Sequence, residues 1–232
     1  MKCSNDPQKP VVPFRTLFNW RSLTDKEQML MNWPERVWIY SPVRVFFQRR
    51  EIRKWLKFTG KVEVENALEI GCGLGKGAAL LARDMGFQNI AAFDLEEKLI
   101  RRAVRLRPES VANRISFYVG DAQDLPFRDS SFDAVVNFGI IHHVLDWRRC
   151  IAELSRVLRP GGIFFFEEIY PPLYANFLMK HIVRHPTEDR FGPVQFLETL
   201  RRESLILADG VDTGSKFGIV GAARKSVPRP KQ

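Results

Sequence analysis

The sequence predicts an α/β fold with a doubly wound sheet of seven strands, and three observations carry that expectation. Apolar runs of strand length alternate with stretches of helix length between residues 64 and 224. A glycine-rich segment, Ala67-Leu68-Glu69-Ile70-Gly71-Cys72-Gly73-Leu74-Gly75-Lys76-Gly77, joins the first run to the first helix. Asp94 closes the second run, near the spacing at which an acidic side chain meets ribose hydroxyls in nucleotide-binding sheets.

Strands are expected near 64–70, 89–93, 115–119, 132–138, 162–168, 204–209 and 215–224. The helices between them fall near 76–86, 95–107, 146–158 and 193–203. Alternation of this kind implies a mostly parallel sheet covered on both faces. Upstream, Thr24-Asp25-Lys26-Glu27 is a capping box that starts a helix through Met31, and Trp33-Pro34 breaks it. Ser41 caps a second helix, with Pro42 at its first position, running to Lys57. That helix interleaves Val45, Phe46, Ile52, Trp55 and Leu56 with Arg44, Arg49, Arg50, Arg53, Lys54 and Lys57. Two readings fit it: a lid docked by its apolar side, or a basic amphipathic helix on an anionic membrane. The chain thus divides into an N-terminal helical extension over 1–58, a nucleotide-binding domain over 59–225, and a disordered tail over 226–232.

The glycine segment defines the ligand. Gly71, Gly73 and Gly75 let the backbone turn tightly, and the following helix points its N-terminal N–H groups at whatever binds. A P-loop is excluded because Gly77 follows Gly75-Lys76 where Ser or Thr is required. The relaxed dinucleotide pattern fits Gly73, Gly75 and Ala78, so glycines alone leave a nicotinamide reading open. Glu69 argues against that reading. A carboxylate two residues before the first glycine repels a pyrophosphate and attracts a cation, and S-adenosylmethionine is a cation with no phosphate.

At this point the chain resembles the class I S-adenosylmethionine-dependent methyltransferases, whose first motif is E/D-x-G-x-G-x-G. Residues 69–75 match it in full. Phe93-Asp94-Leu95, Asp121-Ala122, Phe132 to Asn137 and Leu158-Arg159-Pro160-Gly161-Gly162 follow in the family's order, covering about residues 60–170. The resemblance implies a Rossmann-like sheet, mostly parallel with an antiparallel last strand, under an N-terminal helical lid. It implies S-adenosylmethionine as cofactor, held by Glu69, Gly71, Cys72, Gly73, Gly75, Asp94, Leu95, Asp121, Ala122, Asn137 and Phe138. Asp94 would bind the ribose, with Asp121 and Ala122 beside the adenine. An aromatic residue of the lid, Trp38 or Tyr40, would approach the methionine end. The last two strands would form an antiparallel pair joined at Asp209-Gly210.

Composition narrows the setting. The net charge of +9 divides into +7 over residues 1–58, −2 over 59–170 and +4 over 171–232. The basic surplus belongs to the flanks that meet a substrate or surface. No apolar run approaches the roughly 18 residues of a spanning helix. Cys3, Cys72 and Cys150 are isolated, so neither a disulfide framework nor a metal site is expected, and a cytoplasmic setting fits, with or without membrane association.

Methyl transfer needs alignment, and a base only where the acceptor must lose a proton. His142 and His143 follow the fourth strand at the carboxyl edge, and Tyr170 follows the fifth. These three are the catalytic candidates, with Glu167 and Glu168 as further ones; the histidine pair would otherwise cap the strand. Residues 170–196 carry Tyr170, Leu173, Tyr174, Phe177, Met179 and Ile182, apolar enough to recognise a lipid-, isoprenoid- or quinone-like acceptor. A polar metabolite is the alternative acceptor, and a non-catalytic cofactor-binding protein the alternative class. Nucleic acid is disfavoured, since Asn137-Phe138-Gly139-Ile140 stands where base methyltransferases carry Asn/Asp-Pro-Pro-Tyr. Oligomeric state and the identity of the acceptor atom are not encoded in any pattern found.

Overall fold

The computed structural model describes residues 37, 40–174 and 189–227. The capping box at 24–27, Trp33-Pro34, Trp38, residues 175–188 of the expected recognition segment and the tail from 228 lie outside them.

Helix α1 (Pro42–Thr59) comes first, with the Ser41 Oγ accepting from the Val43 N–H at 3.1 Å and Pro42 in the first turn. Then follow β1 (Asn66–Ile70), α2 (Lys76–Leu80, continued by a π-turn over Leu81–Met85), β2 (Asn89–Asp94), α3 (Glu97–Leu106), β3 (Ile115–Val119) and β4 (Phe132–Phe138). After a 3₁₀ turn (Ile141–His143) come α4 (Trp147–Val157), β5 (Leu158–Ile169), α5 (Pro171–Tyr174), α6 (Pro193–Arg202), β6 (Leu205–Leu207) and β7 (Gly218–Lys225). The seven strands lie in the order β3-β2-β1-β4-β5-β7-β6. All pairs are parallel except those made by β7, which runs antiparallel to both β5 and β6. The order reverses between β1 and β4, so their carboxyl ends open the crevice where ligands of such sheets bind.

Alternation along the strands builds two cores. Ala67, Val136 and Phe165 face α1, α2 and α3; Leu68, Val135, Phe164 and Phe166 face α4 and α6. Helix α1 is built into the first core. Its Glu51, Ile52 and Trp55 are buried on one stripe, and Trp55 is fully enclosed against Phe138 and Phe165, its Nε1–H donating to the Phe166 carbonyl at 3.1 Å. At about 25 cal/mol per Å² and 150–250 Å² for an aromatic side chain, that burial is worth roughly 4–6 kcal/mol gross.

Two local expectations change. The Leu158 to Gly162 stretch, left between the expected helix and strand, lies inside β5, which already pairs Leu158 with Phe132; a register shift between Phe132 and Ala134 absorbs the irregularity. The β6–β7 connection is a wide loop rather than a tight turn at Asp209-Gly210, because β6 stops at Leu207 and β7 starts at Gly218. Within that loop Asp212 folds back to accept the Gly214 N–H at 2.9 Å.

Candidate functional site

The glycine loop runs through left-handed backbone at Gly71, Gly73 and Gly75, with φ of 64°, 54° and 72°. Asp94 organises it. One carboxylate oxygen accepts the Gly73 N–H at 2.8 Å, and the other accepts the Glu96 N–H at 2.8 Å. Burial pushes the Asp94 carboxyl up to about 6, against the pull of these N–H donors. The residue placed for ribose therefore also fixes the loop. Leu95 is half-buried just beyond it, and Cys72 is buried in the loop, its N–H donating to the Phe93 carbonyl at 3.1 Å.

Glu69 is buried at the end of β1, and burial lifts its carboxyl to about 8. Its Oε2 has no hydrogen-bond partner among the described residues. Gly77 makes room for it: a Cβ there would collide with Glu69 Oε1 and press on the Phe138 ring. Gly77 excluded a P-loop, but its need to be glycine comes from this carboxylate. An unpaired buried carboxylate costs several kcal/mol unless it is protonated or meets a cation.

Arg44 of α1 reaches the same edge. Its guanidinium donates to the Phe138 carbonyl at 2.7 Å, to Glu51 at 2.9 Å and to Glu167 at 3.2 Å. Burial opposes its charge, but Glu167 and Glu51 outweigh that and hold its pKa above the ordinary value. Burial raises Glu51 to about 7 and raises Glu167 as well, Arg44 opposing both. Near the glycine loop, the Lys76 ammonium donates to the Tyr40 carbonyl at 2.7 Å, and the Arg102 guanidinium lies 4.9 Å from the Tyr40 ring centroid. Tyr40 is thus tied to α2 and α3.

Asp121 and Ala122 follow β3, with Ala122 buried. The Gln123 amide donates to both Asp121 oxygens, at 3.0 and 2.9 Å, while its oxygen accepts the Asp146 N–H at 2.9 Å. Asn137 is fully buried and committed to the protein. It donates to the Glu167 carbonyl at 3.1 Å and to Glu168 Oε1 at 2.6 Å, and accepts the Ile140 N–H at 3.0 Å. Phe138 sits under Trp55 at 4.9 Å between ring centroids.

Three donors converge on the buried Glu168: Asn137 Nδ2, the Ile141 N–H at 2.7 Å, and His142, whose Nδ1 lies 2.7 Å from Oε2. With Nδ1–H donated to this carboxylate, a neutral His142 ring carries its basic lone pair on Nε2, the arrangement of an oriented general base. The His143 ring lies beside it at 4.3 Å. Tyr170 is enclosed, edge-on to Phe191 at 6.2 Å, and its hydroxyl has no partner among the described residues. Burial, with Glu168 nearby, pushes its pKa upward, so it stays a neutral phenol rather than a phenolate.

The crevice therefore gathers Glu69, Asp94 and the glycine loop at one end and His142, His143, Glu168 and Tyr170 at the other. Sequence reasoning missed Arg44, which it counted with the surface-facing basic residues, along with Glu51, Gln123 and Gly77. The Arg44 pairing spans 123 residues, and no local pattern signals it. Among the described residues no cluster of His, Cys, Asp and Glu could hold a metal.

Comparisons with known proteins agree with this geometry. Residues 68–166 match the model of a family described as a methyltransferase domain. A fatty-acid O-methyltransferase of Mycolicibacterium smegmatis is 40% identical over 110 residues, 47% of this chain and 39% of that protein. A phthiotriol/phenolphthiotriol dimycocerosates methyltransferase of Mycobacterium tuberculosis is 38% identical over 110 residues, 46% of this chain and 38% of that protein. The chain thus spans about two fifths of the length of these relatives. Among solved structures, a putative methyltransferase of Haloferax volcanii, in complex with the Trm112 activator, superimposes with a TM-score of 0.64 at 18% identity, over 82% of this chain and 97% of that one. That likeness concerns the fold alone.

Proposed function

We propose that the chain, whose residues 68–166 match a methyltransferase-domain family, transfers the methyl group of S-adenosylmethionine to an oxygen of a small hydrophobic acceptor. The observation that carries this reading is the Glu69 carboxylate, buried beside the glycine loop with one oxygen unpartnered among the described residues. With Asp94, Glu51, Glu167 and Glu168 it leaves the carboxyl edge rich in buried carboxylates, with Arg44 set against them. A sulfonium and ammonium ligand relieves that excess; a pyrophosphate aggravates it.

When bound, the cofactor supplies an electrophilic methyl and a neutral thioether leaving group. The protein binds and aligns. Glu69 takes the cationic end, and Asp94 holds Gly73 and the loop while remaining beside the ribose position. Asp121, steadied by Gln123, and Ala122 stand on the adenine side. His142, oriented by Glu168, accepts the proton the acceptor loses as its oxygen attacks. The enclosed Tyr170 hydroxyl is a donor for that oxygen, and the Trp55, Phe138 and Tyr40 side of α1 keeps water out.

The hydrophobic acceptor and the oxygen atom follow the activity for which the fatty-acid O-methyltransferase relative is named, together with an oriented base that carbon acceptors already activated toward attack do not need. The exposed Val43, Phe46, Arg50, Arg53 and Lys57 of α1 support peripheral contact with an anionic membrane from a cytoplasmic setting. Sedimentation with anionic liposomes tests that contact; glutamine at Arg50, Arg53 and Lys57 should leave the protein in the supernatant, and equal pelleting of variant and parent would reject it.

Incubation with methyl-labelled S-adenosylmethionine and a cell extract, followed by solvent partition, tests the main reading. Label in the organic phase is expected. Label confined to water-soluble metabolites or RNA would overturn the hydrophobic acceptor, and no transfer at all would favour a non-catalytic cofactor-binding protein.

A further inference from the structure

Outside the crevice, α1 and the β5–β7 edge enclose a groove. Its larger part is a cavity of about 510 Å³ walled by Lys54, Phe58, Leu173 and Phe217, with Glu167 to Ile169 and Gly218 to Val220 along its sides. A second hollow of about 240 Å³ continues it past Phe47 and Arg50, sharing Lys54, Glu167 and Val220. On α1 the contributors Phe47, Arg50, Lys54 and Phe58 form one stripe at spacings of three and four. The wide β6–β7 loop supplies the facing wall. The larger cavity alone lies within the roughly 300–1,000 Å³ range of small-molecule sites.

The charges of this groove are unequally committed. Its carboxylates are engaged by the protein: Glu51 and Glu167 on Arg44, Glu168 by Asn137, Ile141 and His142, and Asp212 by the Gly214 N–H. Glu51 Oε2 is buried without a partner among the described residues, and the rise of its carboxyl to about 7 mutes its repulsion of an anion. Among the described residues, neither Arg50 nor Lys54 has a carboxylate within ion-pair distance, whereas Arg44 and Arg49 do; Lys54 acts on Glu51 only at longer range, pulling its pKa down. Both cations are exposed at the mouth, and Leu173 and Phe217 are 46% and 49% exposed beside it. Large apolar side chains next to exposed cations suit a ligand with an apolar chain and an anionic end.

We propose that the groove between α1 and β7 binds a long-chain carboxylate, its chain along Phe58, Leu173 and Phe217 and its carboxylate on Lys54 and Arg50. The groove's wall includes Glu167, which shares Arg44 with the Phe138 carbonyl at the end of β4. This deepens the proposed function and rests on it for its purpose: the groove holds the long chain of the acceptor.

Titration calorimetry with hexadecanoate and with hexadecyltrimethylammonium, each below its micelle concentration, tests the site. The full chain should bind one hexadecanoate, about ten-fold or more tighter than the alkyl cation. The double variant R50E/K54E should lose about ten-fold or more for hexadecanoate and prefer the cation. Phe217→Asp, at an exposed position, should weaken both. Absence of hexadecanoate binding, unchanged affinity in R50E/K54E, or indifference to Phe217→Asp would each overturn the proposal. S-adenosylmethionine is titrated into the same proteins. Hexadecanoate binding with this pattern but no cofactor binding leaves the groove standing and defeats the methyltransferase reading. Cofactor binding without hexadecanoate binding does the reverse.

Discussion

Along the carboxyl edge of the sheet, the β1–β4 side turns its polar groups inward on the protein, whereas the β5–β7 side lines open space. Asp94 is bonded to Gly73 and Glu96, Asp121 to Gln123, and Asn137 to β5 and Ile140. On the other side, cavities of about 510 and 240 Å³ lie beside α1, with Arg50 and Lys54 exposed at their rim. On the proposed reading, the first side takes one cationic ligand and the second the chain of an amphiphile. Arg44 and the Glu168–His142 pair tie the two together, since both join β5 to the end of β4.

The sharpest break comes at that tie. His142→Ala should lower kcat by roughly 10²–10⁴-fold, the usual worth of general-base catalysis, with cofactor affinity retained. Glu168→Gln should shift the pH profile of kcat as it alters the orientation of His142; an unchanged kcat in His142→Ala would remove the base assignment. Next, Arg44→Ala leaves Glu51 and Glu167 buried without their cation and should cost about 3–5 kcal/mol of stability. Urea unfolding measures this, and a loss below about 1 kcal/mol would mean the two sides stand independently. Third, Asp94→Ala should weaken cofactor binding by roughly 1.5–3 kcal/mol, the range for a hydrogen bond to a charged group, without touching hexadecanoate affinity. Equal weakening of both ligands would show that the two sides are not separate.

The smallest effect is a pH slope. The folded pKa of Glu51, about 7, lies above its usual 4.5, so the folded chain keeps a proton that the unfolded chain releases between them. That contribution is complete below pH 4.5 and is lost as pH rises through 7. Glu51→Gln cannot lose the proton. Its stability relative to the parent should therefore rise between pH 5 and 8, by at most about 1.4 kcal/mol per pH unit. Parallel thermal-melt curves for the two proteins would refute the buried-acid account.

The sequence reading was strong where local geometry decides. The strand–glycine–helix unit at 66–80, the Ser41-Pro42 start of α1 and the acid closing β2 each depend on residues a few positions apart. It was weak where contacts are long-range. Arg44 reads as one basic residue among six on α1, and only the folded chain carries it to Glu167. Asn137 and Phe138, assigned to the cofactor through the resemblance, bond β4 to β5 and pack against Trp55 in the fold. The groove was illegible because its walls come from α1, β5 and a loop that alternation alone read as a tight turn. Gly77 carried a usable signal: a fourth glycine, past the loop in the first turn of α2, fits a neighbouring side chain that needs the space.

The central claim is that a buried carboxylate pair awaits a cationic nucleotide. Calorimetric titration of S-adenosylmethionine at pH 7, in two buffers of different ionisation enthalpy, tests it most directly. Glu69, at about 8, and Asp94, at about 6, must both be ionised to meet the cation. The account predicts binding of one cofactor per chain with net proton release, and loss of that release in Glu69→Gln. Absence of binding, or binding whose proton release Glu69→Gln leaves unchanged, would contradict it.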